Sequence, residues 1–305
     1  MTPETPGKRI LLITPVRDEE YYIGTMIQSL VAEDLAPAKW IIVDDGSADR
    51  TRDIVRSYAQ TYPYITLIEL SRERERKPGG ESAVAQALRG VSLDEFDFVA
   101  RFDADLIFPK GYFADILREF SLEPTLGIAG GGLYIEKDGE QQLEKAPEYH
   151  IRGAVKMYRR ECFEQIGGLL SCIGWDTADE VSAWTKGWTT RSFFGYRVIH
   201  RRPTGGGIRF NKVCWERGKA EYYTCSHPLF VTVKSVKLAF EHRSVSVPLF
   251  FMGGFVWLYA RREERSNDGV FLRTRRTQQL QRMRRAFREA ARRFVPLWGK
   301  QRAQA

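Results

Sequence analysis

The stretch WIIVDDGSADRT, residues 40–51, is an apolar run that ends in two aspartates, a glycine and a serine. Continuous apolar runs of this kind are typical of strands that are buried on both faces of a parallel sheet. The segment that follows, SADRTRDIVRSYAQ (47–60), predicts a helix that Ser47 caps and whose dipole Asp49 complements. The stretch therefore predicts one strand–turn–helix unit of an α/β protein.

Similar units lie on both sides of this stretch. KRILLIT (8–14), YITLIEL (64–70) and DFVARFD (97–103) are further predicted strands, and EYYIGTMIQSLVAE (20–33) has apolar residues at helical spacing. This alternation predicts a mostly parallel central sheet flanked by helices. From about His227 onwards the pattern is helical and amphipathic. We expect an α/β domain over residues 1–225 and a basic helical extension over residues 226–305.

Composition is that of a globular protein, with 305 residues of which 43 % are hydrophobic and 28 % charged. The net charge is +8, yet the segment from Arg261 to the end has 14 Lys and Arg against 4 Asp and Glu, so the rest sums to −2. The four cysteines lack C-x-x-C spacing, which favours a reducing, cytoplasmic location. We recognise no signal peptide, and the apolar run 244–260 is shorter than the roughly 20 residues that span a bilayer.

Carboxylates stand where three of the predicted strands end, in TPVRDEE, VDDGSADRT and RFDADL. Ligands of open α/β sheets bind outside the carboxyl ends of the strands, so we expect these side chains to line a site. The G-x-G-x-x-G pattern of dinucleotide-binding folds is absent after the first strand. Acidic strand ends suit a nucleotide whose diphosphate is neutralised by a divalent cation such as Mg²⁺ or Mn²⁺.

Asp103 and Asp105 lie two residues apart in FVARFDADLIFP (98–109). In an extended backbone both side chains would project from the same face of the strand, with their Cα atoms roughly 6.5 Å apart. Two carboxylates so close repel each other unless a positive group lies between them. A divalent cation could be that group, and Arg101 on the same face could instead form an internal ion pair. A solvated turn is the alternative for this motif taken alone.

The segments ITPVRDEEYYIGTMIQSL, IIVDDGSADRT, FDADL, IGGL and GWDTADE occur in the order and spacing of family 2 glycosyltransferases with the GT-A fold. The chain resembles this family over about residues 8–220. The resemblance implies an inverting enzyme that moves a sugar from a nucleotide-sugar, with UDP favoured, to a saccharide or lipid-linked acceptor in cell-surface polysaccharide or glycolipid synthesis. It implies nucleotide contacts from Thr14, Pro15, Arg17, Glu19, Asp44, Asp45, Ser47 and Asp103, and metal contacts from Asp103 and Asp105.

The same resemblance implies a catalytic base at the start of the helix that ends in K-G-W (186–188). Eleven residues before that glycine lies Asp176, which is the predicted base, with Asp179 and Glu180 as alternatives. Where the family has a Glu-Asp pair this chain has Trp175 before Asp176, and that ring could desolvate the carboxylate and stack on a sugar. The missing acidic residue leaves a catalytically inactive, sugar-nucleotide-binding scaffold as the second hypothesis.

Two basic positions complete the predicted site. His200 lies where similar enzymes place a histidine against the metal and the diphosphate, and a surface histidine in a turn is the alternative. Arg201 and Arg202 would add donors for phosphate oxygens. Lys77, in RERERKPGGESA, precedes a glycine pair and a helix start, where a basic group would lie near the nucleotide; a solvated charge run is the alternative.

The basic tail suggests a partner for the C-terminal helices. Basic amphipathic helices bind anionic membrane surfaces, and VPLFFMGGFVWLYARR has the pattern of an interfacial segment. Packing of these helices on the domain, with solvated arginines, is the alternative. We recognise no nucleic-acid-binding module. We therefore expect a cytoplasmic protein, with peripheral association at the inner face of the plasma membrane as the expectation if the tail binds lipid.

Overall fold

The computed structural model describes residues 7–73, 81–169, 173–202, 210–266 and 268–301. The chain forms two compact units, Met1–Gly206 and Gly207–Ala305, and each is described by itself below. The division lies between Gly206 and Gly207, whereas the sequence pattern places a domain boundary after residue 225. Residues 210–223 form a helix that packs against a later helix of the second unit, which is why this segment belongs there.

A single nine-stranded sheet organises the described part of the first unit. The strands are β1 (Ile10–Val16), β2 (Lys39–Asp44), β3 (Ile65–Glu69), β4 (Phe98–Phe102), β5 (Leu106–Ile107), β6 (Leu126–Lys137), β7 (Glu140–Leu143), β8 (Val155–Arg159) and β9 (Thr189–His200). Their order is β3-β2-β1-β4-β8-β6-β9-β5, and β7 pairs with β6. The predicted strands β1 to β4 are parallel to one another, and β8 introduces the antiparallel half of the sheet.

Six α-helices accompany these strands in the described part of the unit. They are α1 (Ile23–Val31), α2 (Thr51–Thr61), α3 (Glu81–Ala87), α4 (Tyr112–Leu122), α5 (Arg160–Gln165) and α6 (Trp175–Thr185). The helical spacing of the sequence identifies the core face of α1, because Ile23, Met26, Ile27 and Leu30 are all fully buried. The core lies between the helices and the apolar strands, of which β1 contributes the fully buried run Ile10–Ile13.

Two local predictions at the sheet edge need correction. Pro15 does not end the first strand, because it lies inside β1 and pairs in register with Val43. Beyond Ile13 the strand pairs only with β2, so the missing N–H of Pro15 is tolerated as it is on an edge strand. Ser47 does not cap α2, which begins at Thr51 without a side-chain cap.

The second half of the sheet depends on close backbone approach at glycines. A Cβ on Gly130 would lie 2.3 Å from the carbonyl oxygen of Val155, and one on Gly131 would lie 2.4 Å from that of Tyr196. Helix α6 begins at Trp175, and Gly187 ends the helical segment with a left-handed φ of 86°.

The second unit consists of four helices in its described part: α7 (Phe210–Tyr223), α8 (Pro228–His242), α9 (Ser246–Arg261) and α10 (Gly269–Gln301). Helices α7 and α9 approach closely, because a Cβ on Gly218 would lie 1.9 Å from the carbonyl oxygen of Phe251. A Cβ on Gly254 would likewise lie 2.1 Å from the carbonyl oxygen of Trp215. Among the described residues, no helix combines the length and the apolar character needed to cross a bilayer.

Buried polar groups attach the first half of α10 to the other helices of this unit. Glu221 pairs with Lys234 at 2.5 Å and with Arg275 at 3.6 Å, and it accepts a hydrogen bond from Ser226. Gln279 donates to the Ser226 hydroxyl at 2.7 Å. Burial alone would raise the pKa of Glu221, but the two cations lower it to about 2. Residues 271–279 are therefore part of a packed helical unit.

Candidate active site

The loops that follow β1 and β2 are joined by hydrogen bonds to one another. The backbone N–H of Asp18 donates to the Ser47 hydroxyl at 3.0 Å, and the N–H of Ala48 donates to the Asp18 carboxylate at 2.7 Å. Glu19 and Glu20 donate their backbone N–H groups to side chains at the start of α2, at 2.8 and 3.0 Å. Ser47, predicted as a nucleotide contact, thus holds the two loops together, and Asp18 adopts a left-handed φ of 53° to fit them.

Two of the predicted nucleotide residues lie inside this scaffold. The Thr14 side chain is buried and accepts a hydrogen bond from the indole of Trp40 at 3.0 Å. Asp44 is also buried, accepts the backbone N–H of Ser47 at 2.9 Å and forms an ion pair with Arg52. These side chains support the loops. Their contact with a nucleotide stays a prediction.

The other loop residues lie nearer to solvent. Pro15, Arg17 and Asp45 are half-buried, and Arg17 contacts the Asp18 carboxylate at 3.5 Å. The backbone N–H of Asp45 donates to the carbonyl of Val16 at 2.8 Å, which fixes the two strand ends side by side. Lys77 lies outside the described residues.

The D-x-D motif occupies a turn between β4 and β5. Strand β4 ends at Phe102, so the extended backbone assumed from the sequence does not continue through the motif. Asp103 pairs with Arg101 at 2.6 Å, which is the internal ion pair weighed from the sequence, and its side chain remains 36 % exposed. Asp105 is buried, and its two oxygens lie 3.6 Å from His200 and 3.2 Å from Arg202. Each aspartate thus has a cationic partner of its own.

Arg202 connects the motif to the first loop. Its guanidinium contacts Asp105 and lies 2.5 Å from one carboxylate oxygen of Glu19. The second oxygen of Glu19 is buried and has no hydrogen-bond partner among the described residues. Burial raises the pKa of Glu19 in spite of Arg202. A buried oxygen without a partner costs free energy, so a ligand N–H or hydroxyl donating to it would be stabilised.

His200 lies between two carboxylates. Its ring nitrogens are 3.6 Å from Asp105 and 3.3 Å from Glu144. Burial alone would lower the pKa of His200, but these contacts raise it to about 9. The same contacts, chiefly with His200, lower the pKa of Asp105 against the opposing effect of burial. Glu144, which also pairs with Arg152 at 3.0 Å, was not predicted because its partners are distant in sequence.

The donor atoms at this edge fit a hard divalent cation in part. The partly exposed carboxylate of Asp103 offers the oxygen ligand that Mg²⁺ and Mn²⁺ prefer, and Asp105 lies two residues away. A protonated imidazole has no lone pair to give, so metal binding by His200 would require one ring nitrogen to leave its carboxylate. Among the described residues, no group of three or more His, Cys, Asp or Glu side chains is arranged to hold a metal ion.

The start of α6 lies beside the D-x-D turn. Arg101 pairs with Asp103, and its guanidinium lies 5.0 Å from the centre of the Trp175 ring. Trp175 is only 7 % exposed and also faces the ammonium of Lys156 at 5.6 Å, so little of its ring remains for stacking on a sugar. Asp176 follows in the first turn of α6 with its side chain 33 % exposed. The predicted base is therefore accessible.

The two alternative bases are buried beneath Asp176. Asp179 and Glu180 share the buried ammonium of Lys156 at 2.8 and 3.1 Å. Tyr158 donates its hydroxyl to Asp179 at 2.5 Å. Burial raises the pKa of Asp179, although Lys156 opposes the rise. Their position favours a supporting role, and a catalytic role for either stays a prediction.

Sequence reasoning did not identify Lys156 or His150 as parts of this site. A lysine inside the apolar strand VKMYR is a usable signal, because a buried ammonium requires a carboxylate partner. His150 lies in a loop without regular pattern and gives no comparable signal. Its ring contacts Glu180 at 2.9 Å and lies 3.9 Å from Asp176.

Comparisons with known proteins agree with this architecture. The chain is 27 % identical over 210 residues to the 4,4'-diaponeurosporenoate glycosyltransferase of Staphylococcus aureus strain USA300, a match that covers 67 % of this chain and 48 % of the relative. The relative from strain NCTC 8325 matches equally. The chain thus matches about half the length of these curated relatives.

A solved structure shows a similar fold. The mannosyltransferase PcManGT from Pyrobaculum calidifontis, in complex with GDP-Man and Mn²⁺, superposes with a TM-score of 0.55 at 18 % identity. The match covers 86 % of this chain and 77 % of that one. The likeness confirms the predicted GT-A fold.

The family model of glycosyl transferase family 2 matches residues 11–172. This range includes β1 except its first residue, β2 to β8, both loops of the sheet edge and the D-x-D turn. With more than half of the chain matched, the resemblance noted from the motifs is confirmed, and the protein belongs to glycosyl transferase family 2.

Proposed function

We propose that this chain is an inverting glycosyltransferase that moves a sugar from a nucleoside-diphosphate donor, with UDP favoured, to a hydroxyl of a saccharide or lipid-linked acceptor. The observation that carries the proposal is the meeting of Glu19, Asp103, Asp105 and Arg202 at one sheet edge, with Asp176 accessible beside them. Family membership supports the same reaction. The process in which this transfer would take place is cell-surface polysaccharide or glycolipid synthesis.

The donor would bind at the loops after β1, β2 and β4. The unpartnered oxygen of Glu19 would accept a hydrogen bond from the nucleobase or ribose. Arg202, already at the surface of this edge, would face the diphosphate. Asp103 and Asp105 would hold a Mg²⁺ or Mn²⁺ ion, which would neutralise the diphosphate charge when bound.

Asp176 would serve as the general base. The N-terminal turn of a helix favours an ionised carboxylate, because the helix dipole is positive there. Asp176 would take the proton of the acceptor hydroxyl as its oxygen attacks the anomeric carbon from the side opposite the diphosphate. Inversion follows from this single displacement.

Donor binding is the first test, by calorimetric titration of UDP and of GDP into the full chain with Mn²⁺ and with EDTA. We expect binding of one nucleotide with Mn²⁺ that Asp103→Ala weakens, while Asp53→Ala, an exposed change on α2, leaves binding intact. Absence of binding by both nucleotides with metal present would refute the donor site.

Transfer separates the enzyme from an inactive scaffold. Donor hydrolysis or transfer by the purified protein should fall at least about a hundredfold in Asp176→Asn, the usual effect of removing a general base. Nucleotide binding without any turnover in the wild-type chain would favour the scaffold instead. Full activity of both Asp103→Ala and Asp176→Asn would refute the assignment of the site.

We propose in addition that the second unit binds an anionic membrane surface. Exposed apolar side chains recur along one stripe of α8, at Leu229, Val233, Val236 and Phe240, and the last of these is 80 % exposed. The exposed part of α10 carries arginines, including 284, 285 and 288. Apolar side chains beside basic ones are the features of interfacial helices.

Flotation with liposomes tests this proposal. Deleting residues 261–305 would remove the buried partners Arg275 and Gln279, so substitutions in the full chain are the sharper test. Phe240→Glu together with Leu249→Glu should reduce flotation with anionic liposomes, and Leu122→Glu, an exposed leucine of the first unit, should not. Equal flotation of the double variant and the wild type would refute a role for this surface.

A further inference from the structure

His150 connects the predicted base to the interior of the first unit. Its Nδ1 lies 2.9 Å from one oxygen of Glu180, and its Nε2 lies 3.9 Å from Asp176. The other oxygen of Glu180 accepts the backbone N–H of Ile151 at 2.9 Å and the ammonium of Lys156 at 3.1 Å. The imidazole is thus held between a buried carboxylate and a partly exposed one.

The Glu180 carboxylate fixes the tautomer of the ring. Burial would raise the pKa of Glu180, but the charges of His150 and Lys156 and the hydrogen bond from His150 lower it below its ordinary value. An ionised carboxylate only accepts hydrogen bonds, so Nδ1 of His150 carries the hydrogen. In the neutral ring Nε2 then has a free lone pair on the side of Asp176.

We infer that His150 takes up the proton that Asp176 removes from the acceptor, and so acts on the reaction through Asp176. This inference rests on the proposed function. The acceptor O–H bond breaks as its oxygen bonds to the anomeric carbon. The bond from that carbon to the diphosphate oxygen breaks at the same time, and its electron pair leaves with the nucleoside diphosphate. The proton goes to the Asp176 carboxylate and then to Nε2 of His150. Asp176 is again a carboxylate, and the imidazolium releases its proton to solvent.

The surroundings of His150 suit this step. A proton on Nε2 creates a charge-assisted hydrogen bond to the Asp176 carboxylate, which would draw the two atoms together to about 2.8 Å. The imidazolium would then lie between two carboxylates, which stabilise its charge. The ring is 18 % exposed, which gives the proton a way out. Ser192 holds the backbone by donating its hydroxyl to the His150 carbonyl at 2.8 Å.

The charged groups that face the His150 side chain in the described part of the chain are few. Asp176 and Glu180 face it from α6, and Lys156 acts from β8 through their shared contact with Glu180. The imidazole therefore lies among two carboxylates and one buried ammonium. Replacement of Asp176 by Asn removes the carboxylate that faces Nε2 at 3.9 Å.

Nuclear magnetic resonance of the full chain with isotope-labelled histidine tests the inference without any substrate. The sequence has four histidines, so the ring signals can be assigned by single substitutions. We expect the ring ¹⁵N shifts of the Nδ1–H tautomer for neutral His150, and a changed Nε2 shift in Asp176→Asn, because that nitrogen no longer faces a carboxylate. Asp53→Asn should leave the His150 signals unchanged. The Nε2–H tautomer, or an Nε2 shift that is equal in wild type and Asp176→Asn, would overturn the inference.

Kinetics with the donor that supports turnover supply the second readout. His150→Asn retains a donor toward Glu180 but cannot take a proton, so the rate at saturating donor should fall about ten- to a hundredfold, as for loss of a hydrogen bond to a charged group. The KM for the donor should stay unchanged, because His150 takes no part in donor binding, and His242→Asn, in the second unit, should change neither quantity. A wild-type rate in His150→Asn, with Asp176→Asn inactive, would overturn the role of His150 and leave the proposed function standing. Full activity of Asp176→Asn would overturn both.

Discussion

Replacing Lys156 by methionine should lower the stability of the first unit far more than a change at an exposed ion pair does. The Lys156 side chain is fully buried, and its ammonium donates to Asp179 at 2.8 and 3.0 Å and to Glu180 at 3.1 Å. It also donates to the backbone carbonyl of Asp176. Methionine fills a similar volume but leaves two buried carboxylates and a carbonyl without this donor.

The size of the effect follows from burial. Removing one partner of a buried ion pair costs about 3–5 kcal/mol, because the remaining charge has lost its water and its partner. Domains are stable by about 5–15 kcal/mol, so the change removes a large fraction of the total. The matched control is Lys8→Met, which removes an exposed pair with Asp97 at 3.1 Å and should cost no more than about 1 kcal/mol.

Urea unfolding of both variants, followed by circular dichroism, measures the difference. With a slope of about 2–3 kcal/mol per molar, Lys156→Met should unfold at a urea concentration at least about 0.7 M lower than Lys8→Met does. Without the ammonium, the pKa of Asp179 in the folded state rises further above its unfolded value, so stability is lost as pH rises through that folded pKa. Lys156→Met should therefore be less destabilised at pH 5 than at pH 7. Equal midpoints for the two variants would refute the reasoning.

Three further changes test other parts of the structure. Gly130→Ala should cost at least about 1–3 kcal/mol in urea unfolding, since its Cβ meets a backbone carbonyl at 2.3 Å, whereas Gly195→Ala, with nothing within 4 Å, should cost less than about 1 kcal/mol. The lowered pKa of Glu221 contributes about 3 kcal/mol of stability above its ordinary value of 4.5, and this contribution is lost as the pH falls toward about 2. Glu221→Gln should abolish this part of the acid dependence in thermal unfolding. Gly254→Ala should lower the melting temperature of the second unit, and an unchanged value would contradict the close approach of α7 and α9.

The strands and the acidic edge could be predicted because their signals are local. Each of β1 to β4 is a mostly apolar run, and carboxylates follow at the point where β1, β2 and β4 end. The family resemblance, counted back from Gly187, led to Asp176, which the structure places accessible in the first turn of α6. The family resemblance, carried by motifs in order, is confirmed.

Partners that are distant in sequence could not be predicted from local patterns. Only the family resemblance placed His200 near the metal site, 95 residues after Asp105, and no signal linked Lys156 to the carboxylates 23 and 24 residues later. Ser47 shows the same limit on a smaller scale. It has the composition of a helix cap, yet a loop from another strand offers its hydroxyl the backbone N–H of Asp18. Tertiary contacts decided each of these roles.

The glycines between α7 and α9 bear on how the second unit would respond to a change of solvent. Contacts between backbones depend on van der Waals packing, which is as effective next to hydrocarbon as next to water. Helix pairs joined through small residues are for that reason common inside lipid bilayers. The junction at Gly218 and Gly254 would therefore keep its geometry when the outer faces of these helices exchange an aqueous surrounding for an oily one. The second unit could enter such an interface without refolding.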